Sequence, residues 1–262
     1  MKITPWTHDQ LKLAFQLYCQ LPFGRLHHRN PEIIALAKLI DRTPSAVAMK
    51  LVNFASLDPT IVASGRKGLS SASTRDREIW DAFHADWEGL VVECARIRAT
   101  LTDTHEAGRL DGANQLAESA EPTDFSSDSR TATVEQRIKQ SFFRRMVLTS
   151  YQQRCCVCDL SVPTLLIASH IVPWHQDKAN RLNPRNGLCL SALYDRAFDR
   201  GLITFDDDWR LLVANELRQA DDAATQALFV ALEGKRMRLP ERFGPDPALM
   251  QRHREQIFLG QG

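Results

Sequence analysis

Residues 101–133 divide this chain into two parts that must fold separately. The stretch is rich in Ala, Ser, Thr, Asp and Glu and poor in large apolar side chains, so it buries too little surface to offset the entropy of ordering it. Residues 101–129 carry 1 Lys or Arg against 7 Asp or Glu. A core must therefore form before this segment and another after it. In a chain of 262 residues both blocks are of ordinary domain size. The organisation expected is a helical domain over residues 1–100, an acidic flexible linker over 101–133 and a second domain over 134–262.

The net charge of +1 conceals an uneven distribution. Residues 1–77 hold 11 Lys or Arg against 5 Asp or Glu, and residues 135–200 hold 10 against 5. Two basic blocks thus flank an acidic one, a pattern suited to a polyanionic partner. With 44% hydrophobic and 25% charged residues the chain is neither disordered throughout nor a membrane protein. No run of eighteen apolar residues occurs, and Met1 to Trp6 lacks the apolar core of a secretory signal, so a cytoplasmic location with no membrane partner is expected. The cysteines at 19, 94, 155, 156, 158 and 189 are too unevenly spaced for a disulfide framework.

The first block reads as helices. Thr7 caps a helix with Leu11, Leu13, Ala14, Phe15, Leu17, Tyr18 and Leu21 on a broad apolar face, ended by Pro22-Phe23-Gly24. Asn30-Pro31 and Thr43-Pro44 each supply a cap and a first-turn proline for two further helices joined by a tight turn. That pair reads equally well as a helix-turn-helix or as part of a plain bundle. In the first case Ser45, Lys50 and Asn53 are the exposed candidates for reading DNA. Ser64 to Ser71 is a basic loop, and a single helix is expected from Thr74 to Arg98.

In the second block a basic helix over 134–149 precedes strands at Leu165–Ala168, Gly201–Phe205 and Trp209–Ala214, with helices near 216–232 and 246–258. Three segments carry chemistry: Ser169-His170-Ile171-Val172-Pro173-Trp174, Asn183-Pro184-Arg185-Asn186-Gly187-Leu188, and Tyr194-Asp195-Arg196-Ala197-Phe198-Asp199-Arg200-Gly201. Together they resemble the HNH endonuclease family, in particular its bacterial restriction-type branch. The resemblance spans roughly residues 150–260. It implies a β-hairpin followed by a helix that together clasp one divalent metal, hence an α+β chain: a helical N-terminal domain plus a C-terminal ββα-metal domain with extra helices.

Hydrolysis of a phosphodiester needs a base for water, a cation for the charge that builds on phosphorus and the leaving oxygen, and a rigid frame for both. His170, at a strand end before a proline-fixed turn, suits the base, since imidazole takes a proton near neutral pH. The resemblance makes Asn186 the residue that orients that base. It is expected in a loop preceding a helix, where its amide can tie the excursion after His170 back to the hairpin. Asp195 and Asp199 lie four apart on a predicted helix, so both carboxylates share a face and can reach one cation. Hard oxygen ligands favour Mg²⁺ or Mn²⁺.

The sequence departs from the family at two points. Asp195 stands where many HNH proteins have histidine, and Ser169 stands where many have an anionic or histidine ligand. Arg144, Arg145, Arg154, Arg185, Arg196 and Arg200 bracket the motif as candidate contacts to DNA phosphates. Cys155 and Cys158 form one C-x-x-C without a second pair, so a structural Zn²⁺ is disfavoured against buried thiols in a tight turn. Cys189 and His175 are the remaining donors that could complete such a site. The function expected is a metal-dependent DNA endonuclease of restriction or phage-defence type. Cutting both strands requires a homodimer or two successive nicks. A non-catalytic DNA-binding regulator on the same scaffold, or a nuclease controlled by a signal-sensing N-terminal domain, remain alternatives.

Overall fold

The computed structural model describes residues 5–65, 72–107 and 127–260. Most of the acidic linker, residues 108–126, and the basic part of the loop, 66–71, lie outside the described residues. The chain divides into two compact units. The first comprises residues 1–19, 24–57 and 68–142, and the second residues 20–23, 58–67 and 143–262.

The first unit is built from α1 (His8–Gln20), α2 (Pro31–Leu39), α3 (Pro44–Ala55), α5 (Thr74–Ala85) and α6 (Trp87–Ala107), with the opening residues of α7 (Ser127–Ser150). Its caps follow from the sequence. Asn30 accepts the Glu32 amide and Thr43 accepts the Ala46 amide, each ahead of a proline whose missing N–H needs no partner. Phe15 is fully buried and its ring centroid lies 4.7 Å from Phe83 and 5.0 Å from Phe54. The expected helix over 74–98 is two helices. Asp86 leaves helical geometry, and its side chain accepts the Gly89 amide at 2.8 Å, so this Asp starts a new helix instead of continuing the old one.

The expected reading face on α3 is corrected. Ser45 is exposed, but Lys50 and Asn53 are buried. Lys50 Nζ lies 2.9 Å from Oδ1 and 3.0 Å from Oδ2 of Asp76, whose carboxylate has no solvent exposure. Asp76 also accepts the Ser73 amide in the capping box of α5. Lys50 is thus drawn inward by a carboxylate that α5 has already committed to its own N-terminus. Met49, on the same helix as Lys50, is 57% exposed.

The second unit contains α4 (Pro59–Ala63), the closing part of α7, two antiparallel hairpin sheets and short helices. Strand β1 (Leu166–His170) pairs with β2 (Gly187–Ser191), with Leu166 opposite Ser191 and His170 opposite Gly187. Helix α8 (Ala192–Asp199) follows β2 at once, and β3 (Ile203–Phe205) pairs with β4 (Leu211–Val213). Gly201 joins α8 to β3 at φ +70°, and a Cβ there would lie 2.0 Å from the Ile257 carbonyl oxygen, so only glycine serves. The single helix expected near 216–232 is broken into α9 (Asn215–Arg218) and α10 (Ala223–Leu228), because Asp222 caps a fresh start on the Thr225 amide. Helix α11 (Pro247–Gln256) packs on β3. Among the described residues no helix is long and apolar enough to cross a membrane.

Candidate active site

The strand-strand-helix order of β1, β2 and α8 brings the three motif segments together. Asn186 was expected in a loop before a helix; it sits instead at the residue before β2, and the strand intervenes. Leu188, Cys189 and Leu190 are buried on both sides, so their pattern lacks the alternation that marks a half-exposed strand. Pairing of β1 with β2 leaves residues 171–186 as a long excursion from the hairpin.

Asn186 ties that excursion down. It is fully buried, its Oδ1 accepts the Val172 amide at 2.9 Å, and its Nδ2 donates to the carbonyls of Val172 and Asn180 at 3.1 Å each. Its own carbonyl accepts the Ile171 amide at 2.9 Å. Three of the amide's four hydrogen-bonding positions are thus spent on backbone, which a carboxylate or an aliphatic side chain could not reproduce.

His170 is half-buried at the end of β1. Its ring stacks on Phe143 with centroids 4.0 Å apart and planes 7° apart, and Trp174 stands at 88° to it. Nε2 lies 3.0 Å from the Arg181 carbonyl oxygen. A carbonyl can only accept, so Nε2 carries the proton and Nδ1 keeps a lone pair. Burial lowers the pKa below the ordinary 6.5, with the Arg181 carbonyl opposing in part, so the ring is neutral at pH 7.

Ser169, His170, Trp174, His175, Asp195 and Asp199 line one cleft of about 440 Å³, with His253 and Ile257 from the end of the chain. Burial raises the pKa of Asp195, while Ser169 and Arg196 pull it down. The buried Ser169 hydroxyl makes no full hydrogen bond, yet it lies close enough to Asp195 to favour the ionised carboxyl. Asp199 is raised by burial first and then by the negative charge of Asp195. A cation between the two carboxylates would relieve the repulsion that Asp195 exerts on Asp199. Mg²⁺ typically takes one or two protein carboxylates and fills its remaining positions with water and phosphate oxygen, so the pair fits such an ion. Among the described residues no three His, Cys, Asp or Glu side chains group as metal ligands.

The other expected residues fall in different settings. Arg154 pairs with Asp159 at 2.8 Å and Arg185 with Asp246 at 3.2 Å, while Arg144 reaches the Pro163 carbonyl. Arg145, Arg196 and Arg200 are exposed. Cys155 is buried, its sulfur accepting the Ser191 amide at 3.2 Å, and Cys158 is exposed. Sequence reasoning assigned nothing to Arg181, Trp174 or His253. His253 comes from α11, stacks on Phe198 at 3.7 Å, and lies 3.0 Å through Nδ1 from Thr204 Oγ1 and 3.1 Å through Nε2 from the Phe198 carbonyl. Burial lowers its pKa to about 4, so it lines the cleft as a neutral, hydrogen-bonded ring. No local pattern signals a residue so far along the chain.

Comparison with curated proteins gives no match. A solved structure of similarity is a modification-dependent TagI restriction endonuclease, 21% identical, with a match that covers 44% of this chain and 37% of that one at a TM-score of 0.35. The HNH endonuclease family model matches residues 155–206, which hold β1, β2, α8 and β3. Residues 155–206 of this chain form an HNH endonuclease domain.

Proposed function

We propose that the protein is a metal-dependent DNA endonuclease of restriction or phage-defence type, acting in the cytoplasm, with His170 as general base. The observation that carries this reading is the way His170 is held. Its Nε2 is committed to the Arg181 carbonyl, which leaves Nδ1 free to take a proton from water beside Asp195 and Asp199. Asn186 acts at a distance: by holding Val172 and Asn180 it fixes the loop that carries the Arg181 carbonyl. Asp195 and Asp199 would hold Mg²⁺ or Mn²⁺, with the Ser169 hydroxyl beside Asp195. That ion would supply positive charge to the scissile phosphate and the departing oxygen. Arg196 and Arg200, exposed next to Asp195 and Asp199, are the arginines best disposed to meet phosphates; Arg144, Arg154 and Arg185 have protein acceptors to give up first, and Arg145 is a further candidate.

Plasmid cleavage in Mg²⁺ or Mn²⁺ tests the assignment. Wild-type protein nicks or linearises the plasmid, and His170→Ala reduces the rate at least a hundredfold, about the factor a positioned base contributes. Equal rates would refute it. A second reading is favoured by Ser169, which replaces an anionic ligand: a DNA-binding regulator that does not cut. It predicts retained DNA affinity without nicking in any of Mg²⁺, Mn²⁺, Co²⁺ and Ni²⁺.

A further inference from the structure

The reaction proposed above uses His170, Asp195 and Asp199, which account for only part of the cleft they line. Its remaining wall includes Ile167, Pro173, Ile257 and the indole of Trp174. Neither a phosphate nor a divalent cation gains from such a wall, because both lose hydration against it. A nucleobase, which is flat, apolar on its faces and polar only at its edges, does gain.

Trp174 is held at this wall from several directions. Its ring stands 5.5 Å from the imidazole of His170 and perpendicular to it. The Arg181 guanidinium lies 5.3 Å from the indole centroid, and Arg181 Nε donates to the Trp174 carbonyl at 2.9 Å. The carbonyl of the same arginine accepts from His170 Nε2. One residue therefore fixes both the aromatic ring in the cleft and the imidazole beside it. Trp174 is half-buried and lines the cleft. An aromatic side chain already immobilised loses little entropy when a ligand lands on it.

We propose that Trp174 is a stacking platform for a nucleobase adjoining the bond that is cut, and that Arg181 is the residue that positions it. The substrate at this cleft is then DNA with an unpaired or extruded nucleotide next to the scissile phosphate. In continuous duplex the faces of the bases are covered by their neighbours, and a protein meets only edges and backbone. An indole reaches a base face only where a nucleotide has left the stack. This inference deepens the nuclease reading and rests on it for the position of the scissile bond, but it is measured by binding instead of cleavage.

The test uses the full chain in EDTA, so that no cutting accompanies binding, at one fixed salt concentration. Fluorescence anisotropy compares a short labelled single strand, the duplex of the same sequence, and that duplex with one bulged nucleotide. Trp174→Leu keeps an apolar side chain without the ring, and Trp174→Phe keeps an aromatic face. Leu should lose about tenfold in affinity for the single strand and the bulge, the scale of one base–aromatic stack. Phe should retain most of it, and affinity for the continuous duplex should be unchanged in both. Equal loss on all three probes, or no loss with Leu, overturns the proposal. Should the Leu variant fail to fold, tryptophan fluorescence decides. Single-strand binding should quench wild-type emission more than that of Trp174→Phe, and an equal quench overturns the proposal. Stacking without cleavage by wild type in Mg²⁺ would sink the nuclease reading alone; cleavage without discrimination among the probes would sink this one alone.

Discussion

Replacing Asn186 by Ala removes three hydrogen bonds at once and leaves the Val172 N–H and the Val172 carbonyl without partners, while the Asn180 carbonyl keeps the Asn183 amide at 3.3 Å. The first two are buried, and Asn186 itself has no solvent exposure. Each loss costs about 1 kcal/mol, with more where the orphaned group stays dry, so the folded second unit should lose about 3 kcal/mol. The loop after His170 should loosen before the hairpin does, because the β1–β2 ladder itself is untouched. Urea denaturation followed by far-ultraviolet circular dichroism measures the total. Amide exchange at Ile171 and Val172 locates it, and plasmid nicking in Mg²⁺ reads the consequence for the reaction. The expectation is lowered stability, faster exchange at both amides and lowered cleavage together. If Asn186→Ala unfolded within about 1 kcal/mol of wild type and still failed to cut, the idea that Asn186 works by holding the loop would be wrong, and a direct role in the chemistry would follow.

Lys50→Met should destabilise the first unit by about 3 kcal/mol, because it strands the buried Asp76 carboxylate, and thermal unfolding would show it. Unchanged stability with weakened DNA binding would instead restore Lys50 to a reading face. His253 predicts a pH effect. Its folded pKa of about 4 lies below the ordinary 6.5, so between those values the unfolded chain binds the extra proton. Stability from this ring is complete above pH 6.5 and falls as the pH drops towards 4, by up to about 3 kcal/mol. The loss should be smaller in His253→Phe, which keeps a ring against Phe198 but cannot titrate; identical pH slopes would refute the assignment.

Much of the candidate site was legible because its residues sit close together in sequence and obey local rules. His170 at a strand end and the i, i+4 spacing of Asp195 and Asp199 need only the geometry of one strand and one helix. The N-caps at Asn30 and Thr43 are equally local, since a side chain reaches amides two or three residues ahead. Strand β2 was not legible. Its residues are buried on both faces, and without alternation a short apolar run looks alike in strand and helix. The breaks at Asp86 and Asp222 escaped for a related reason: an aspartate tolerated on a helix surface can also cap a new helix, and packing selects between the two.

The sequence by itself determined that a poorly apolar, acidic segment lies between two more apolar blocks, that the second block carries a His, Asn and Asp set, and that two carboxylates lie one helical turn apart. These depend on burial capacity and on repeat periods, which a chain cannot alter. Tertiary structure alone decided how those residues are charged and held. Lys50 lies inside because a carboxylate on another helix is already buried there. Burial favours neutral His170 against the opposing pull of the Arg181 carbonyl, and that carbonyl places the proton on Nε2. Trp174 and His253 share its cleft because a long loop and the last described helix return to β1. Burial and the partners of a polar group depend on residues distant in the chain, so no window of sequence contains them.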